Sequence, residues 1–229
     1  MIYYLIASIL IAVAALFART KRAVLAAGIL FYAVQIAAAG LLLWGGLYDT
    51  TSAAFFTFDA LGTLFYLLLV VVSMYVFGHS EAYLQGEDLR SYRLYFALLM
   101  LLTTAIAGAY FANNLAVTWI FLEATTLCSA GIIYHRRTAQ ALEAAWKYVF
   151  VCSTGIAMAY LGILLLAAAT KCETLSYEAV AEAASSGNPL YLKTAFLLIL
   201  SGYSCKLELF PLYTCLLYTS DAADDMQCV

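Results

Sequence analysis

Long apolar runs broken by short polar ones set the plan of this chain. Taking about 20 apolar residues as enough to cross a bilayer, the pattern predicts seven helical segments. They run from Ile2 to Phe17, Val24 to Leu47, Ala60 to Phe77, Leu94 to Phe111, Leu115 to Tyr134, Ala144 to Ala169 and Ala195 to Leu212. Between the fourth and fifth stands only Asn113-Asn114, a turn suited to an antiparallel hairpin. The connection from His135 to Ala141 is also short, so segments four, five and six are expected as sequential neighbours. The stretch His79 to Arg93 is mixed in charge and reads as a solvated loop. After segment six, Ser176 is placed to cap a short amphipathic surface helix with Glu178 in its first turn, and Gly187-Asn188-Pro189 ends it.

Composition turns the pattern into a class. Of 229 residues 66% are hydrophobic and 11% charged, against roughly half and a quarter in soluble domains, so the expected fold is an all-α, polytopic transmembrane bundle. The opening run is a first span and not a signal peptide, because its basic cluster follows the apolar residues. Arg19, Lys21, Arg22, Arg90, Arg93, Arg136 and Arg137 follow the odd segments, whereas only Lys171 and Lys193 follow the even ones. The bias puts the odd connections in the cytoplasm and the N-terminus outside. The aromatic stretch Tyr48 to Phe58 suits the outer interface. Net charge is -3, with Asp221, Asp224 and Asp225 in a polar tail, and nothing points to a nucleic-acid partner. The six cysteines form no CxxC pair and no metal-ligand spacing, so no metal and no cofactor is expected.

Against this background the charges inside apolar segments stand out. Glu123, Lys147 and Lys206 lie within segments five, six and seven, and a charge at mid-bilayer costs at least a few kcal/mol, so by default it faces protein or water and marks an ion path or its partner. At about 1.5 Å rise per residue, Glu123 lies about 12 Å past Leu115, Lys206 about 16 Å past Ala195 and Lys147 about 9 Å past Ala141, which puts all three in the middle third. Glu143, one turn before Lys147, offers that lysine a local partner. Glu123 has no base within four positions on its own helix, so its compensation must come from another helix. Lys206 is followed by Glu208 and by Pro211, where the helix is expected to kink or break. Two other ionisable groups have simpler readings. Asp59 is placed to cap the third helix, and His135, beside Arg136 and Arg137, reads as an interfacial base.

The residues around these charges carry a resemblance. LEATTLCSA about Glu123, LEAAWKYVFVCSTGIAMAYLG about Lys147, KLELFP from Lys206, Asp59-Ala60-Leu61-Gly62 and Asn113-Asn114-Leu115 resemble the antiporter-like membrane subunits of hydrogenase-4 and formate hydrogenlyase-type complexes. These are relatives of the proton-pumping subunits of respiratory complex I and of multisubunit cation/proton antiporters. The resemblance implies a glutamate in helix five, a lysine in helix six and a lysine in a broken helix seven, matching Glu123, Lys147 and Lys206, with Glu143, Glu208 and Pro211 in support. It implies proton translocation driven by a redox module on other subunits, so the expected partners are the lipid bilayer, other membrane subunits and, through them, a peripheral redox module. The expected location is the inner (plasma) membrane. The family often has a small residue where Glu208 stands and a histidine where Tyr213 stands.

The family also continues through two inverted repeats of five helices, whereas this chain stops near helix seven, so it reads as an N-terminal fragment that would not pump alone. Residues 1–58 are expected as two helices and an outer loop, and 59–214 as an incomplete antiporter-like repeat. CLLYTSDAAD, from Cys215, resembles translated sequencing adapter, so 215–229 are expected as a non-native, disordered tail. Two further readings differ in class: a sodium/proton antiporter subunit, active without an electron donor, and a structural membrane anchor, for which the charges would only hold helices together.

Overall fold

The structure is a computed structural model and describes residues 1–45, 55–172, 174–185 and 187–207. Glu173, Glu208, Pro211 and the tail from Cys215 therefore lie outside the described residues. The elements are α1 (Ile2–Leu16), α2 (Lys21–Leu43), α3 (Ala60–Tyr83), α4 (Leu89–Phe111), α5 (Leu115–Ile133), a 3-10 turn (Tyr134–Arg136), α6 (Ala139–Thr170), α7 (Tyr177–Ala184) and α8 (Pro189–Leu207). The fold is an all-α transmembrane bundle. α2, α3, α4, α5 with its 3-10 turn, and α6 are long and apolar enough to cross a membrane. α1 is apolar but has 15 residues, and α8 has 19 with Lys193 and Lys206 among them.

Side chains that satisfy the first free N–H groups set the helix starts. Thr20 accepts from Ala23 N, Asp59 from Gly62 N, Asn114 from Ala116 N and Val117 N, Thr138 from Ala141 N, and Ser176 from Ala179 N. Asp59 is thus the cap that its place in the sequence suggested. α6 ends on Lys171 in the left-handed region, at φ 52°.

The helices form two compact units, Met1–Arg136 and Arg137–Val229. In the first, α4 is the hub, touching α1, α2, α3 and α5. It carries two apolar clusters, one around Phe31, Phe77, Phe96 and Met100 and another around Leu42, Tyr66, Ala107 and Phe111. A polar layer interrupts the packing: Tyr4 and Tyr66 both donate to Gln35 Oε1, at 2.5 and 2.8 Å, and Gln35 is fully buried. Outside this layer, Thr57 N–H donates to Phe111 O and Asn113 N–H to Phe55 O, which ties the segment before α3 to the α4–α5 turn.

Two expectations are corrected. The solvated loop from His79 to Arg93 shrinks to residues 84–88, because α3 runs on to Tyr83 and α4 starts at Leu89. Ser80 is buried in that extension, and its hydroxyl bonds back to Val76 O and meets Tyr95 Oη at 3.1 Å, so polar residues there continue the helix. α8 begins at Pro189, six residues before the expected start, with Asn188 Oδ1 accepting from Leu190 N. Proline in the first turn loses no hydrogen bond, so the stop signal for α7 is also the start signal for α8. His135, in the turn that ends α5, is only 8% exposed and so is covered by protein.

In the second unit α6 packs along α8, and α7 sits on α6. Small residues bring the backbones of α6 and α8 close. A Cβ placed on Gly202 would stand 2.5 Å from both Ala159 N and Gly155 O, and one on Gly162 would stand 2.9 Å from Ala195 O. Such close approach is how helices associate where lipid offers no hydrophobic drive.

Candidate functional site

Glu123 sits in the third turn of α5, half-buried, with its Oε2 atom buried. Its helix is fixed to α4 by two notches on either side of it. Phe121 lies against Gly108, where an added Cβ would come within 2.3 Å of its ring, and Leu98 lies against Gly131 at 2.6 Å. Thr125 and Thr126 turn their hydroxyls back to Leu122 O, one residue before the acid, at 2.7 and 3.2 Å. The carboxylate is thus carried on a helix whose rotation is set by packing, which is what a charge-bearing position requires if it is to face one direction.

Lys147 lies eight residues into α6, and its Nζ meets Glu143 Oε1 at 2.6 Å. This is the local partner that the i,i+4 spacing offered. Both side chains are well exposed, at 70% and 67%, so the pair holds the lysine in place more than it stabilises the fold. α6 has 32 residues and is about 48 Å long, well beyond a hydrocarbon core of about 30 Å.

Lys206 stands in the last turn of α8 and is half-buried, with Nζ 5.8 Å from the centre of the Tyr148 ring on α6. Counted from Pro189 it lies about 26 Å along its helix, against the 16 Å expected from Ala195. An aromatic face attracts an ammonium, and Tyr148 follows Lys147 directly, so the α6–α8 contact brings Lys147 and Lys206 to one stretch of α6.

Sequence reasoning missed Tyr148, whose partner is 58 positions away, and the row Gly155, Ala159 and Gly162. That row was visible as small residues four and three apart on an apolar helix, the usual mark of a close helix contact. Among the described residues no group of three His, Cys, Asp or Glu side chains is placed to hold a metal ion, and Cys128, Cys152, Cys172 and Cys205 are free thiols.

Residues 112–221 match the family described as NADH:quinone oxidoreductase/Mrp antiporter, TM. The chain is 30% identical over 173 residues to the hydrogenase-4 component F homolog of Methylacidiphilum infernorum, a match covering 70% of this chain and 36% of that one. It is 33% identical over 120 residues to NADH-quinone oxidoreductase subunit N of Deinococcus radiodurans, covering 51% and 24%. With Na(+)/H(+) antiporter subunit A1 of Staphylococcus aureus it shares 30% over 157 residues, covering 68% and 19%. The chain thus spans about a third or less of these relatives' lengths.

Two solved structures share the fold. One is the membrane-bound sulfane sulfur reductase, an archaeal respiratory membrane complex, with a TM-score of 0.74 at 21% identity over 91% of this chain and 44% of that one. The other is respiratory complex I from Thermus thermophilus, with a TM-score of 0.68 at 21% identity over 92% and 45%.

Proposed function

This chain belongs to the NADH:quinone oxidoreductase/Mrp antiporter family of membrane subunits, and from that premise we propose that it is part of a proton-translocating subunit of a redox-driven complex. The observation that carries the reading is Glu123, an acid in the third turn of an apolar helix clamped at Gly108 and Gly131. Such a residue in a span is by default functional. In the proposed mechanism Glu123 and Lys206 form a cross-helix pair, and Lys147, held meanwhile by Glu143, is the next proton-accepting site. Away from water an amine favours its neutral form, and a nearby carboxylate favours the ammonium. Closing or opening the glutamate contact therefore makes a lysine hold or release its proton. Glu208 and Pro211 support Lys206 in this scheme. The redox module is peripheral and carried by other subunits, and the complex lies in the inner (plasma) membrane with this chain's N-terminus outside.

The test is proton pumping by the intact complex in inverted vesicles. Glu123→Gln should abolish pumping and leave the subunit inserted and assembled. Lys206→Arg should fail as well, because arginine keeps its proton; full pumping by Lys206→Arg would end the assignment of Lys206. Similarity to an Na(+)/H(+) antiporter subunit supports a second reading. Cation-for-proton exchange by reconstituted subunits without an electron donor would favour it over redox-driven pumping.

A further inference from the structure

We propose that His135 Nε2 is a proton-binding site at the end of α5, reached through the cavity between α3 and α4. His135 Nδ1 lies 2.8 Å from Ile132 O. A carbonyl can only accept, so the neutral ring carries its hydrogen on Nδ1 and leaves Nε2 as a bare lone pair. That atom is buried and has no hydrogen-bond partner, in a side chain of a residue only 8% exposed. A structural histidine satisfied at both nitrogens would be inert. Here one nitrogen fixes the tautomer and the other is left basic.

The surroundings suit a cation that comes and goes. The groups facing His135 are Tyr83 on α3, Tyr95 and Ser91 on α4, and the Arg136–Glu87 ion pair beside it. The Tyr95 ring stands edge to face with the imidazole at 5.3 Å and the Tyr83 ring at 6.3 Å, so an imidazolium would meet aromatic surface on two sides. Arg136 opposes a new positive charge, but it is already matched by Glu87 at 3.4 Å.

Both tyrosines also line a cavity of about 390 Å³ whose other walls are Tyr75, Val76, His79 and Ser80. That volume has room for several waters at roughly 30 Å³ each. Tyr95 therefore has the imidazole on one side and water-sized space on the other, and its hydroxyl, shared with Ser80 Oγ at 3.1 Å, can accept from a protonated Nε2 after a small rotation. The step is a simple binding: Nε2 takes one proton from cavity water, the ring gains one positive charge, and hydroxide or buffer base is left outside.

The chain holds two histidines, His79 and His135, so nitrogen NMR can read the site directly. The full chain, labelled with ¹⁵N-histidine, is placed in lipid nanodiscs and titrated, with His79→Gln leaving His135 as sole reporter. The expected result is a neutral Nδ1–H form at high pH passing to a doubly protonated ring on acidification. The unsubstituted chain gives the same reading by difference if His79→Gln does not fold, and its exposed His79 shows that the sample responds to pH. Tyr95→Phe should lower the share of doubly protonated His135 at a fixed acidic pH while leaving the His79 signal unchanged. A His135 ring that stays neutral to pH 4.5, an Nε2–H tautomer at high pH, or an unchanged share of doubly protonated His135 in Tyr95→Phe would overturn the proposal. The measurement is independent of whether the subunit pumps.

Discussion

Gln35 shows how a single polar side chain can organise an apolar interior. Its Oε1 receives hydroxyls from Tyr4 and Tyr66, and its own carbonyl also accepts from Tyr66 at 3.1 Å. Gln35→Leu would keep the volume and take from Tyr4 its amide acceptor, while Tyr66 keeps the backbone carbonyl of residue 35, at a cost of about 1–3 kcal/mol. Tyr66→Phe removes a donor and leaves Oε1 with Tyr4, so about 1 kcal/mol or less is expected, close to values for single bonds within membranes. Unfolding in mixed micelles would rank the two, and a Gln35→Leu chain as stable as the parent would remove this role. None of this was legible from the sequence, since each tyrosine is 31 positions from Gln35 and the three meet only after α1, α2 and α3 pack. Glu123, Lys147 and Lys206 were legible, because a charge inside an apolar run is conspicuous without any partner. The cover over His135 was not legible, because Tyr83 and Tyr95 reach it from distant positions.

At the scale of helices, hydrophobicity marked where each one lay and chemistry at the ends decided where each stopped. Thr20, Asp59, Asn114, Thr138 and Ser176 are conventional caps and could be read in advance. The ends of α3, α4 and α8 could not be read from hydropathy, because helix continues through Ser80, whose hydroxyl finds partners, and through Arg90 and Lys193, which stay exposed. Glycines offer a sharp contrast. Gly202→Ala should weaken the α6–α8 contact, since the new Cβ would meet backbone atoms at 2.5 Å that cannot turn aside. The expected loss is about 1–3 kcal/mol. Gly40→Ala has nothing within 4 Å of the new carbon and should stabilise by about 0.5–1 kcal/mol through helix propensity alone. Equal stabilities for these two alanine variants would show that the close approach is unimportant.

For the molecule as a whole, the α1–α2 and α3–α4 connections are held together by two of the bases from which their side of the membrane is proposed. Lys21 Nζ donates to Gln85 O at 3.0 Å, and Arg93 donates to Ala18 O at 3.2 Å, so the α1–α2 turn is tied to the α3–α4 region by two positive side chains. With native cysteines replaced, Gly86→Cys should react with an impermeant thiol reagent only after cells are opened, and Ser185→Cys, beside α7, should react in intact cells whose outer membrane has been removed. The reverse pattern would invert the topology proposed from the basic residues.

The contact between α6 and α8 also has a meaning in time. With Gly155 and Gly202 backbone to backbone, a slide of one helix past the other by a single turn of about 5.4 Å would drive Cys205 and Ile199 out of the spaces that Gly155 and Gly162 leave open for them. The two lysine-bearing helices therefore travel as one body. Rearrangement inside this pair is confined to side-chain rotation, on the order of picoseconds to nanoseconds at exposed positions such as Lys147. In the proposed proton cycle, any step lasting microseconds or longer then takes its pace from something other than relative motion of α6 and α8.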